Sequence, residues 1–252
     1  MKRRYLAGDQ VCRGNLILVN KKHPLQSPEP ADRVIFPGSG EELKAEAEQA
    51  LERLVKAAEG EGELLLQSGY RTEKTQRELY ADSLAENGPA YTAKYVAEPG
   101  CSEHQTGLAA DMTVKGAPED RICPEFSGES AVRFRKKAAE FGFIERYPAE
   151  KEPVTGIGAE PWHFRYVGVP HAGLMEQWGM TLEEYVNFLR KREGSRIICR
   201  TGGRQYEISY RKCPPGGMEI IVPADREIQV SGDNVGGCLI TLISDAGEGG
   251  VP

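Results

Sequence analysis

The chain has 252 residues, 39% of them apolar and 28% charged, with a formal net charge of −6. That length can bury one sizeable core with room for a small second unit. The acid excess and the lack of a basic block argue against nucleic acid or an anionic membrane surface as the main partner, since both need a concentrated positive face.

Met1-Lys2-Arg3-Arg4 resembles the charged start of an export signal, but the apolar run of about seven that such a signal requires does not follow. No stretch approaches the roughly 20 apolar residues that cross a bilayer. Together these predict a soluble protein with a cytoplasmic location. Residues 15–19 are a short apolar run that predicts a strand, followed by a Pro-rich loop to about Gly40. Ser39 with Glu42 forms a capping-box pattern and predicts a helix to about residue 59, with Leu43, Ala47, Ala50, Leu51, Leu54 and Val55 on one face. A buried strand is expected over 63–67. Thr72 predicts the cap of a second helix that stops near Asn87-Gly88.

Residues 108–114 suit a strand carrying one acid, and 130–141 suit a helix. Over 161–167, Trp162, Phe164 and Tyr166 alternate with His163, Arg165 and Val167, the period of a strand. His171, after Pro170, reads as a surface residue opening a helix. Thr181 with Glu184 is a second capping box, starting a helix to about Arg192. From residue 196 to 245, short β-prone runs separated by Gly and Pro replace the helical period. This predicts an α+β domain over 1–194 and a small β-rich appendage over 195–252 with a frayed tail. The six cysteines show no CxxC spacing, which disfavours a sulfur-rich structural metal site and predicts free thiols in a reducing compartment.

Three segments concentrate chemistry: Ser68-Gly69-Tyr70-Arg71 with Gln76, the run 102–111, and Glu160-Pro161-Trp162-His163. Zinc accepts imidazole and carboxylate ligands, and a catalytic site uses three of them with a position left for water. His104, Asp111 and His163 supply that set. His-x6-Asp and Glu-x-x-His are each common by chance. Asp111 inside an apolar strand is more telling, because a buried carboxylate is costly without a partner. Glu160 need not be a ligand and can face the zinc-bound water. Trp162 is expected to pack in the core rather than form a substrate platform. Cys101 lacks a partnered base and reads as incidental.

The same segments, in the same order and spacing, resemble the three signatures of the VanY-type zinc D-alanyl-D-alanine carboxypeptidases, which share a fold with the hedgehog signalling domain. The resemblance covers roughly residues 15–190. Size, the lack of an export signal and the C-terminal tail are similar to the soluble VanXY-like branch linked to glycopeptide resistance. It implies a hedgehog/D,D-peptidase-like antiparallel sheet flanked by helices. It also implies a Zn2+ cofactor on His104, Asp111 and His163, with Glu160 as catalytic base. Gln76 and Ser102 are implied to join Arg71 in binding the substrate carboxylate. Arg71 itself can stabilise an oxyanion or clamp that carboxylate.

The implied reaction is hydrolysis of the D-Ala-D-Ala terminus of peptidoglycan precursor peptides, releasing D-alanine. Two alternatives stand beside it: a D,D-dipeptidase or bifunctional enzyme, and a zinc-binding or wall-peptide-binding module without turnover. Glu160 separates the last from the others, since a non-catalytic descendant has no need of it.

Overall fold

The strand Ala109–Val114 lies inside a four-stranded antiparallel sheet. In the computed structural model, which describes residues 1–27, 29–118, 120 and 122–246, the order is Leu64–Ser68, Ala109–Val114, His163–Tyr166, Phe143–Glu145. Alternation sends Ala110 and Met112 to one face and Asp111 to the other. Leu64, Leu66 and Phe164 share the apolar face. Helices Ala45–Ala57 and Gly128–Ala138 bury it with Ala47, Leu51, Leu54, Ala131 and Phe134. Phe126, Phe134 and Phe164 meet edge to face at centroid distances of 4.8 to 5.6 Å, a geometry that adds specificity to the area they bury.

One irregularity makes the other face functional. Leu66 pairs with Met112, but Ser68 pairs with Asp111, so two residues of the first strand oppose one of the second. Strict alternation would put Ser68 on the side of Leu66. The bulge moves it to the side of Asp111 instead.

The helix expected from Ser39 begins later. Glu42–Lys44 is a strand paired with Arg33–Ile35, and the helix is Ala45–Ala57, with Lys44 at its N-cap and no side-chain cap. Ser39 closes a local turn instead, its Oγ donating to Phe36 O at 3.2 Å and accepting from Glu41 N at 3.1 Å. The Glu42 carbonyl accepts from Tyr70 N at 2.6 Å. Tertiary pairing thus overrides the local capping signal. Thr72 does cap its helix, accepting from Thr75 N at 3.1 Å. That helix, Glu73–Tyr95, is broken at Gly88 (φ 76°) before Pro89 and then resumes.

Contacts divide the chain into two units, residues 19–183 and residues 1–18 with 184–252. The second carries a four-stranded antiparallel sheet in the order Glu227–Gly232, Gly237–Asp245, Arg204–Lys212, Arg196–Thr201. A two-stranded ribbon joins Lys2–Leu6 to Met218–Val222. Leu6, Ile220, Val222, Cys213, Cys238 and Ile240 form its core. Residues 1–18, expected within the α+β domain, therefore pack with the C-terminal strands. Residues 15–19 are buried but form no strand. Their backbone is satisfied by side chains and loops: Leu16 N donates to Ser231 Oγ (2.8 Å), Leu18 N to Asp233 O (3.1 Å), and Asn234 Nδ2 to Leu18 O (3.0 Å). All six cysteines are free thiols. Among the described residues, no helix is long and apolar enough to cross a membrane.

Candidate metal centre and active site

Antiparallel register places Ser68, Asp111 and His163 in one row across the sheet, since Ser68 pairs with Asp111 and Asp111 with His163. Directly opposed residues share a face, so this row lies on the face away from the core. His104 arrives on the single turn Glu103–Thr106, which ends at Gly107 in the left-handed conformation (φ 69°). The chain thereby reverses into the strand that carries Asp111.

His163 Nδ1 lies 2.8 Å from Asp111 Oδ1, and His104 Nε2 lies 3.1 Å from Asp111 Oδ2. One ligand atom from each of the three buried residues falls within 4.8 Å of the others. His104 Nδ1 is 2.6 Å from the Gly69 carbonyl. A carbonyl only accepts, so His104 carries its proton on Nδ1. In the neutral imidazole, Nε2 then turns a lone pair toward a carboxylate oxygen. Two acceptors face one another there, an arrangement that a cation between them satisfies, and the borderline-hard His–Asp–His donor set suits zinc.

The electrostatics of His104 agree. Burial, followed by the Arg71 charge, lowers the His104 pKa and keeps its imidazole neutral, as a metal ligand must be. For Asp111 burial opposes ionisation, but charge and hydrogen bonds from His104 and His163 prevail and hold the carboxyl well below its usual range. For His163 burial would lower the pKa, yet the bond and charge of Asp111, then the nearby Glu103 carboxylate, push it up to about 9. Glu160 is pushed up to about 8, chiefly by burial, with His163 opposing. Its Oε2 lies 3.8 Å from His163 Nδ1, beside this group of three.

Arg71 donates from Nε to Ser68 Oγ (2.8 Å) and from Nη2 to Asp111 Oδ2 (2.6 Å). The bulge that turns Ser68 over therefore also aims this guanidinium. Gln76 and Ser102 line the same cleft. Gln76 Nε2 donates to Ala97 O at 2.8 Å, and its buried Oε1 has no hydrogen-bond partner among the described residues. All seven residues singled out from the sequence thus border one cleft.

The side-chain layer behind His163 escaped the sequence reading. Glu103 is fully buried against two arginines: its Oε1 accepts from Arg146 Nε (2.9 Å) and forms an ion pair with Arg165 Nη1 (2.7 Å). Glu183 grips the far side of Arg146 with both oxygens, at 2.9 and 2.6 Å. Strand alternation had placed Arg165 beside His163, but nothing local in the sequence points to Arg146 or Glu183. Tyr147 also lines the cleft, its ring 5.0 Å from that of His163.

Three minor expectations resolve as follows. Trp162 packs in the core. The Cys101 thiol is pushed up by burial and by Glu98, so it is not an activated nucleophile. His171 is buried rather than exposed, and burial lowers its pKa to about 3. Pro170 opens the helix as expected, but the helix turns His171 inward.

A sheet presenting a buried His–Asp–His set beside an elevated carboxyl has the architecture of a metal-dependent hydrolase. The family model described as VanY, D-alanyl-D-alanine carboxypeptidase, matches residues 40–169, and the chain belongs to that family. It is 48% identical over 179 residues to the bifunctional D-Ala-D-Ala dipeptidase and D-Ala-D-Ala carboxypeptidase VanXYC of Enterococcus gallinarum, covering 69% of this chain and 94% of that protein. Among solved structures it is similar to the vancomycin resistance D,D-dipeptidase VanXYg in complex with a D-Ala-D-Ala phosphinate analog. That likeness has a TM-score of 0.92 and 35% identity, with 96% of this chain and 99% of the other covered. The D,D-pentapeptidase VanY from a VanB-type resistance cassette, in complex with Zn(II), matches at TM-score 0.60 and 34% identity, over 69% of this chain and 99% of that one. The fold is thus the α+β, hedgehog-like arrangement of these peptidases with a C-terminal all-β region.

Proposed function

We propose that this chain is a zinc peptidase that hydrolyses the D-Ala-D-Ala terminus of peptidoglycan precursor peptides and releases D-alanine. His104, Asp111 and His163 hold the metal, and Glu160 is the general base. The observation that carries the reading is the lone pair of His104 Nε2 facing Asp111 Oδ2, with the Glu160 carboxyl set beside the third ligand. When bound, zinc supplies a Lewis acid and lowers the pKa of a coordinated water from 15.7 toward about 7.

Glu160 takes the proton of the attacking water and passes it to the leaving D-alanine amine. A carboxyl whose pKa stands near 8 exchanges protons readily around neutrality, which both steps need. Arg71 is held at Ser68 and Asp111, where its guanidinium can meet the carbonyl oxygen as that oxygen gains charge or can fork onto the terminal carboxylate. Ser102 offers a hydroxyl to the same carboxylate. Gln76 presents an acceptor, Oε1, which suits an N–H of the bound peptide better than a carboxylate.

A second reading, that the chain also cleaves the free dipeptide, is favoured by the structural likeness to a D,D-dipeptidase that extends over both units. A zinc-binding module without turnover is disfavoured, because Glu160 is kept in the cleft despite the cost of burying it. We place the reaction on soluble precursors in the cytoplasm, since six free thiols suit a reducing compartment. The test is D-alanine release from D-Ala-D-Ala and from a muramyl pentapeptide, with and without chelator. Release from either substrate that stops on chelation and returns with zinc is expected. Hydrolysis indifferent to chelation defeats the proposal.

A further inference from the structure

His163 differs from His104 in one respect. The ring nitrogen of His104 turned away from Asp111 is bonded to the Gly69 carbonyl. Among the described residues, the equivalent atom of His163, Nε2, is buried with no hydrogen-bond partner, and so is Glu103 Oε2. These two atoms lie 3.6 Å apart. A bond between them needs about 3 Å, so a shift of under 1 Å closes it. Among the described residues nothing else competes for that oxygen, because both arginines bind Glu103 through Oε1.

On the zinc reading above, we infer that Glu103 is a positioning residue for His163: its Oε2 accepts the Nε2–H and aims Nδ1 at the metal. Glu103 is itself fixed by Arg165 and by Arg146, and Arg146 is gripped by both oxygens of Glu183. The chain Glu183–Arg146–Glu103–His163 is charge-balanced when Arg165 is included, having two carboxylates and two guanidiniums. These four charges, three of them buried, add little to stability over well-packed apolar residues. Their value lies in direction. Arg146 and Arg165 claim one carboxylate oxygen and leave the other for the imidazole, which fixes both the ring orientation and the tautomer of the ligand. Outer partners of this kind contribute 10- to 100-fold to metal affinity.

The experiment measures the zinc dissociation constant by chelator competition for the parent, for Glu103→Gln and for the double variant Glu103→Met/Arg165→Met. In Glu103→Gln the amide oxygen is drawn to the arginines, so an N–H₂ faces Nε2–H, donor against donor. The double variant removes one charge of each sign and replaces them with apolar chains, and this preserves folding while deleting the acceptor. Both are expected to bind zinc 10- to 100-fold more weakly, with unchanged circular dichroism and an altered visible spectrum of the Co2+-substituted protein. A folded variant that binds zinc as tightly as the parent overturns the inference.

Failure of either variant to fold leaves a measurement on the zinc-loaded parent. Histidine-selective 15N NMR should show a slowly exchanging Nε2–H on His163, and rapid exchange there overturns the assignment. A parent that binds no zinc refutes the metal site itself, an outcome distinct from normal binding by the variants.

Discussion

Glu160 sits where two demands meet: it must be ionised to accept a proton, yet burial pushes its pKa up to about 8. Glu160→Gln is expected to retain stoichiometric zinc while losing at least about 10²-fold in turnover, the scale of general acid–base loss. Zinc content and D-alanine release measured on one sample check this, and full activity would remove the residue from the mechanism. The same carboxyl gives the zinc-free protein a pH dependence. A group whose folded pKa is raised contributes stability that is present below its unfolded value and is lost as pH climbs through the folded one. For Glu160 that window runs from 4.5 to about 8, and for His163 from 6.5 to about 9. Below pH 6.5 the lowered His104 and His171 act in the opposite sense to Glu160, so the chelated protein should melt at progressively lower temperature from about pH 6.5 to 9, by roughly 2–4 °C per kcal/mol for a chain this long. Glu160→Gln removes its own share, so its melting temperature should fall less between pH 5 and 8. Equal slopes for parent and variant in thermal scans would contradict the assignment.

Gly69 shows how an element fixes the site. A Cβ there would meet the Glu42 carbonyl oxygen at 2.2 Å, and the Gly69 carbonyl is what orients His104. Gly69→Ala must push the loop off the strand Glu42–Lys44. We expect a loss of about 1–3 kcal/mol, the usual scale of overpacking, together with weaker zinc binding. Urea midpoints and chelator competition would report the two effects. An Ala variant that matches the parent in both would mean that the loop gives way freely. At this scale the sequence was readable where pattern and packing agree. Residues 108–114 and 161–167 display their apolar alternation openly, and Asp111 and His163 are the polar positions left over on the opposite face. What stayed hidden depends on neighbours distant in the chain. The bulge at Ser68 exists only against Asp111, and Ser39 loses its capping role because the Glu42 backbone is engaged by Arg33–Ile35 and Tyr70. Arg146 and Glu183 gain meaning only once Glu103 is placed between arginines.

Across the whole chain, the pairing of Lys2–Leu6 with Met218–Val222 could not be read locally, since a Lys-Arg-Arg run carries no strand signature and its partner lies more than two hundred residues away. By contrast the three proposed zinc ligands, though drawn from separated segments, all belong to residues 19–183. Both tryptophans, Trp162 and Trp178, belong to that unit as well, so intrinsic tryptophan fluorescence follows the unit that holds the site. A ligand that binds only the folded state stabilises it by about 2.7 kcal/mol at a hundred times its dissociation constant. At about 2–4 °C per kcal/mol, zinc at that excess should raise the fluorescence-detected melting temperature by roughly 5–10 °C over the chelated protein. His104→Ala, which removes one ligand and its bond to Gly69, should abolish that increment and the hydrolysis together. If zinc shifts the tryptophan transition equally in His104→Ala and in the parent, the metal is binding elsewhere and the ligand set proposed here is wrong.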